Sequence, residues 1–209
     1  MAQRRLPRVN APSNPANLQP WCITPAKPGK LDGASLGAII GELMPENAIV
    51  SDEGATQSAN VMNMSAGAKP HDWLQLTGGA IGQGLPLAVG AAVACPNRKV
   101  IALQADGSGM YTLQALWTMA SENLDITTIV INNGSYAILN IELLRVGVQN
   151  PGPKALSMLD LSNPSLNWTQ ISEGMGVPAV RAKTAEDFRS ALVAALAQKG
   201  PRLIEAILE

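Results

Sequence analysis

The 209-residue chain carries 15 basic and 16 acidic residues and is 46% hydrophobic. That length suits one α/β domain burying roughly 70% of its unfolded surface, and the even charge offers no footprint to nucleic acid or an anionic membrane. Cys22 and Cys95 lack metal-type spacing and read as idle thiols of a reducing cytosol, and the longest apolar stretch, Leu85 to Cys95, is too short to span a bilayer, so a cytoplasmic protein is expected.

From Met1 to Lys30 the sequence is rich in proline and asparagine, shows no periodicity and reads as a leader or linker, which leaves residues 31–209 for the domain. Leu36, Ile39, Ile40 and Leu43 mark an amphipathic helix with Ser35 as its expected cap, and Ala48 to Asp52 reads as a short buried strand. Further strands are expected at Leu74–Thr77, Lys99–Ala105, Ile126–Asn132, Pro178–Lys183 and Arg202–Leu208. Helices of about 10–15 residues fit between them, the spacing of βαβ units. The expected fold is therefore α/β, a doubly wound, mostly parallel sheet of about six strands with helices on both faces.

In such sheets ligands bind beyond the carboxyl ends of the strands. Four polar or glycine-rich loops stand at those ends: SDEGATQS from Ser51, TGGAIGQG from Thr77, ADGSG from Ala105 and NNGSY from Asn132. The glycines of the second loop let backbone approach a ligand, and the helix after it is expected to offer unpaired N–H groups to an anion. Neither G-x-G-x-x-G nor a P-loop occurs, which leaves a nicotinamide-dependent oxidoreductase only the generic fold in its favour. Asp106 and Asn133 lie 27 positions apart, each where a strand stops. One carboxylate, one amide oxygen and a backbone carbonyl suit Mg²⁺, which keeps its other positions for water and phosphate oxygens.

ADGS followed by NN resembles the GDG…NN signature of thiamine diphosphate (ThDP) enzymes, and TGGAIGQGLPLAVGAAVA is similar to the loop and helix preceding it in the acetolactate synthase and benzoylformate decarboxylase group. The likeness covers about Leu31 to Glu209, the diphosphate-binding (PP) domain of those enzymes. It implies that Asp106 and Asn133 ligate Mg²⁺ or Ca²⁺ together with the backbone carbonyl of Ser135. Gly107 and Ser108 would bond the diphosphate, and Gly54, Ala55 and Thr56 would cradle its other side. Gly79 would offer its carbonyl to the aminopyrimidine, with Ala80 beside it, and Ile81 would wedge the two cofactor rings into a bent shape. The substrate class implied is a 2-keto acid, decarboxylated or joined to a second carbonyl compound.

Departures from the pattern carry expectations too. Ala105 replaces the first glycine of GDG, Ala55 lacks a hydroxyl that one relative supplies by threonine, and Gly109 suggests a looser helix start. The glutamate that activates the cofactor belongs, in the family, to a pyrimidine-binding (PYR) domain, and Glu53, Glu122 and Glu142 do not match its motif. The residues therefore suggest a chain completed by a PYR domain, a partner chain or a homo-oligomer, with a non-catalytic ThDP-binding remnant as the alternative. The small-residue helix LPLAVGAAVA allows close approach of another subunit. His71, the single histidine, reads as a surface or supporting residue, Trp117 and Met119 as core or interface, and the proline-broken stretch after the NN turn as a lid.

Overall fold

The computed structural model describes residues 24–208, so the leader expected over Met1 to Lys30 lies largely outside the described residues. Its last part is tied down. Gly29 donates its N–H to both carboxylate oxygens of Glu186, at 3.0 and 3.2 Å, and Lys30 forms a β-bridge with Thr184.

The elements run in the order α1 (Gly33–Leu43), β1 (Ile49–Glu53), α2 (Ser58–Met64), β2 (Asp72–Gln75), α3 (Gly84–Ala94), β3 (Val100–Ala105), α4 (Asp106–Gly109), α5 (Ala115–Ser121), β4 (Ile126–Asn132), α6 (Ala137–Arg145), α7 (Pro153–Ser157), α8 (Trp168–Gly174), β5 (Ala179–Ala182), α9 (Ala185–Leu196) and β6 (Arg202–Ile207). Short 3₁₀ turns occupy Ala55–Gln57 and Thr77–Gly79. All six expected strands form. Every pairing among them is parallel, in the order β2-β1-β3-β4-β6-β5.

The central strands are buried on both faces, as their unbroken apolar runs require. On one side α1, α2 and α9 cover the sheet with Leu36, Ile39, Ile40, Val61, Phe188 and Leu192; on the other α3, α5 and α8 do so with Leu85, Ala88, Leu116, Met119 and Trp168. Among the described residues no helix is long and apolar enough to cross a membrane.

Two local expectations shift. The N-cap of α1 is Asp32, whose Oδ1 accepts from the Ser35 N–H at 2.7 Å; Ser35 itself stands inside the helix and is buried. The edge strand β2 begins two residues early because Asp72 pairs with Ile49, and Thr77 is drawn into the following turn. The chain passes from β1 outward to β2 and then crosses to β3 on the other side of β1. The carboxyl ends of β1 and β3 therefore flank a reversal of strand order, where open α/β sheets bind ligands.

Candidate functional site

A cleft opens at that reversal, lined by Gly54, Ala55 and Thr56 after β1, by Ile81, by Asp106, Gly107 and Ser108 after β3, and by Asn133 and Ser135 after β4. The four loops expected to converge do so. Gly79 and Ala80 lie one step away on the exposed crest of the glycine loop, where the Gly79 carbonyl accepts from the Ile81 N–H at 3.0 Å.

Asp106 and the asparagine turn meet because β3 and β4 are adjacent, with Ala105 in register with Ile131. One carboxylate oxygen of Asp106 accepts from its neighbour Gly107 N–H at 2.9 Å and the other from the Gly134 N–H at 2.9 Å. Asn133 Oδ1 accepts from the Ser135 N–H at 3.0 Å, which curls the turn, and Asn133 and Ser135 both line the cleft beside Asp106. Asp106 is buried, and burial pushes its carboxyl above the usual aspartate range against the pull of these N–H donors. Among the described residues it has no ion-pair partner, and no Lys, Arg or His lines the cleft. An all-oxygen donor set with one carboxylate suits a hard cation that keeps several waters. Among the described residues there is no cluster of three or more His, Cys, Asp or Glu of the kind a closed cage would need.

Opposite, the turn at Gly54–Thr56 is shaped by Asp52, which sequence reasoning passed over. Asp52 Oδ1 accepts from the Gly54 N–H at 3.0 Å and from the Ser58 hydroxyl at 2.7 Å, while Oδ2 accepts from Trp73 Nε1 at 3.0 Å. This holds Ala55 at φ +49°, in the left-handed region. The signal was present, an Asp two residues before a glycine, the spacing of a side chain that bonds its own backbone in a turn.

The glycine loop corrects one expectation. The Gly84 N–H that opens α3 is not free for a ligand, because the fully buried carboxylate of Glu53 already takes it. Glu53 accepts from the Gly82 N–H at 2.7 Å and from the Gly84 N–H at 2.5 Å, acting as a cap from another strand for a helix whose own N-cap, Gln83, makes no side-chain cap bond. A Cβ at Gly84 would lie 2.7 Å from Glu53 Cβ, so the approach itself demands glycine.

A second correction concerns Gly109. A Cβ there would stand 2.7 Å from the Trp168 ring, so the glycine makes the helix start tight against a fully buried indole. Beyond Ser135 the proline-broken stretch folds back as α6 and α7. Tyr136 N–H bonds Leu159 O at 2.9 Å, Ser135 Oγ donates to Leu159 O at 3.0 Å, and Ser135 bridges Asp160, so the returning segment braces the asparagine turn. His71 is remote, its Nδ1 2.7 Å from the Lys69 carbonyl and its ring edge-on to Trp73. Cys95 is a free thiol, half-buried, while Cys22 lies outside the described residues.

Comparison with known proteins gives one family. Residues 53–206 match the family described as thiamine pyrophosphate enzyme, C-terminal TPP binding domain. IlvX of Mycobacterium tuberculosis, named provisionally as an acetolactate synthase large subunit, is 54% identical over 181 residues, covering 86% of this chain and 35% of that protein. Benzoylformate decarboxylase of Pseudomonas aeruginosa is 33% identical over 178 residues, 85% of this chain and 32% of its own. Among solved structures, the thiamine diphosphate-dependent 4-hydroxybenzoylformate decarboxylase of Rhodococcus jostii RHA1 superposes with a TM-score of 0.77 at 31% identity, over 90% of this chain and 35% of that one. The chain thus spans about a third of the length of the relatives it matches.

Proposed function

The chain belongs to the thiamine pyrophosphate enzyme family through its C-terminal TPP-binding domain, and we propose from this that residues 31–209 form the ThDP/Mg²⁺-binding half of an acetolactate synthase-like enzyme. That enzyme acts on 2-keto acids by decarboxylation or carboligation. Asp106 and Asn133 side chains and the Ser135 carbonyl would hold Mg²⁺; Gly54, Ala55, Thr56, Gly107 and Ser108 would hold the diphosphate; Gly79 and Ala80 would contact the aminopyrimidine and Ile81 would support the cofactor rings. ThDP, when bound, would supply a thiazolium ring that acts as an electron sink for the charge developing at the former keto carbon. The chain's own residues bind and orient. By the family resemblance the activating glutamate would come from a PYR domain or partner chain; Glu53 is committed to the glycine loop and Glu142 pairs with Arg145 at 2.7 Å.

The observation that carries this reading is the charge of the cleft. Among the described residues its lining presents one buried carboxylate and no basic side chain, so a diphosphate would meet the charge of Asp106 with only neutral N–H and hydroxyl groups to offset it unless a divalent cation stood between the two anions. Calorimetric titration of the full chain with ThDP, with and without Mg²⁺, tests it. Binding is expected only with Mg²⁺ and is lost in Asp106→Ala. Metal-independent binding, or binding that survives the substitution, would overturn the metal assignment.

A further inference from the structure

Glu53 ends β1 fully buried, and among the described residues it has no ion-pair partner. Besides the Gly82 and Gly84 N–H groups it accepts, through Oε1, from Gln104 Nε2 at 3.0 Å. A carboxylate offers only acceptors here, so Gln104 must turn its amino group, not its oxygen, toward Glu53. The other amino hydrogen goes to Ser108 Oγ at 2.7 Å. The Gln104 oxygen is left buried without a partner. That orphaned acceptor is what the orientation costs, and it shows how firmly the carboxylate dictates it.

The effect reaches the cleft. With one lone pair of Ser108 Oγ filled by Gln104, its own proton is free. The nearest internal acceptor, the Ala105 carbonyl, stands at 3.4 Å, beyond the usual O–H···O range of about 2.5–3.0 Å. Ser108 lines the cleft.

We propose that Glu53 is a positioning residue which, through Gln104, sets the Ser108 hydroxyl as a hydrogen-bond donor toward a bound diphosphate. This rests on the function proposed above. Glu53→Gln keeps the shape and breaks the polarity: its single amide oxygen cannot serve three N–H donors, Gln104 is released to flip, and its oxygen then accepts the Ser108 proton. The hydroxyl would then turn lone pairs toward an anion. A merely structural glutamate predicts no coupling to Ser108; a polarity relay predicts strong coupling.

The test is a double-mutant cycle read by calorimetric titration of the full chain with ThDP at saturating Mg²⁺, with melting followed by circular dichroism. Glu53→Gln and Ser108→Ala are each expected to weaken binding by about tenfold, and the double variant to bind within about threefold of either single one. If Glu53→Gln does not fold, Gln104→Met takes its place in the same cycle, since it keeps the side-chain volume and deletes the amide. Wild-type affinity in the first variant, or losses that multiply to about a hundredfold in the double, would overturn the relay alone. Failure of the wild-type chain to bind ThDP would overturn the functional reading, and the relay with it.

Discussion

Ala55 pays for the shape of the diphosphate turn with its own backbone, since φ +49° crowds an L side chain. Left-handed backbone costs a non-glycine residue roughly 1–2 kcal/mol, and the extra unfolded-state freedom of glycine returns about half of that, so Ala55→Gly should stabilise the chain by about 0.5–1 kcal/mol in urea denaturation. No gain would mean the Asp52 bonds do not hold the turn against its preference. Gly109→Ala should do the opposite. Its methyl meets the Trp168 ring at 2.7 Å with Gln104 Cγ at 3.1 Å behind it, an overpacking worth about 1–3 kcal/mol and visible as a lowered midpoint at unchanged slope. Asp106 and Asn133 were legible in the sequence because each ends an apolar run, and adjacent parallel strands must bring such ends together. Glu53 was not legible in its real role: its partners are backbone N–H groups 29 and 31 positions away, and a backbone donor leaves no mark in sequence.

At the scale of elements, the six strands could be read from composition because buried parallel strands are continuous apolar runs bounded by turn residues. Helix ends were less legible, since caps compete. Both Asp32 and Ser35 can cap, and the acidic one wins because its oxygen reaches the third N–H of the helix while Ser35 falls on the buried face. Proline misled in the same way: Pro153 occupies the first turn of α7, where its missing N–H costs nothing, so it starts a helix rather than breaking one. The cap yields a pH prediction. Hydrogen bonding to the Ser35 N–H holds the Asp32 carboxyl below the ordinary aspartate range, so the folded chain prefers the charged form. Its contribution is therefore present above the unfolded-state pKa and is lost as pH falls through the depressed folded value. Asp32→Ala should cost about 1 kcal/mol near neutrality, Asp32→Asn much less, and the difference between wild type and Asp32→Ala should shrink on acidification below the ordinary aspartate range. A cost that persists unchanged in acid would assign it to packing instead.

At the scale of the molecule, the most exposed apolar residues fall in two regions, while Met62, Val180 and Val193 stand apart from both. Val93, Tyr111 and Trp117, each more than 60% exposed, belong to the region of α3 and α5, while Leu144, Val146 and Met158 lie on and after α6 and α7 at 74%, 69% and 69% exposed. A Cβ added at Gly90 of α3 would meet nothing within 4 Å, but Ala88, Ala91 and Ala92 pack into the core, so most of the small residues of LPLAVGAAVA face the sheet and only Gly90 and Ala94 are left exposed. Exposed apolar side chains grouped on elements beside a ligand cleft favour association, because each removes area from water only when another surface covers it. The full chain should therefore sediment as a dimer or larger species at micromolar concentration. Trp117→Lys should shift it toward monomer, since the indole is 61% exposed and a surface change of this kind alters folding stability by only about 0.5 kcal/mol. A wild-type chain that stays monomeric across the concentration range would count against self-association through this face, and repeating the sedimentation with a PYR-domain protein added would test whether a different chain covers it.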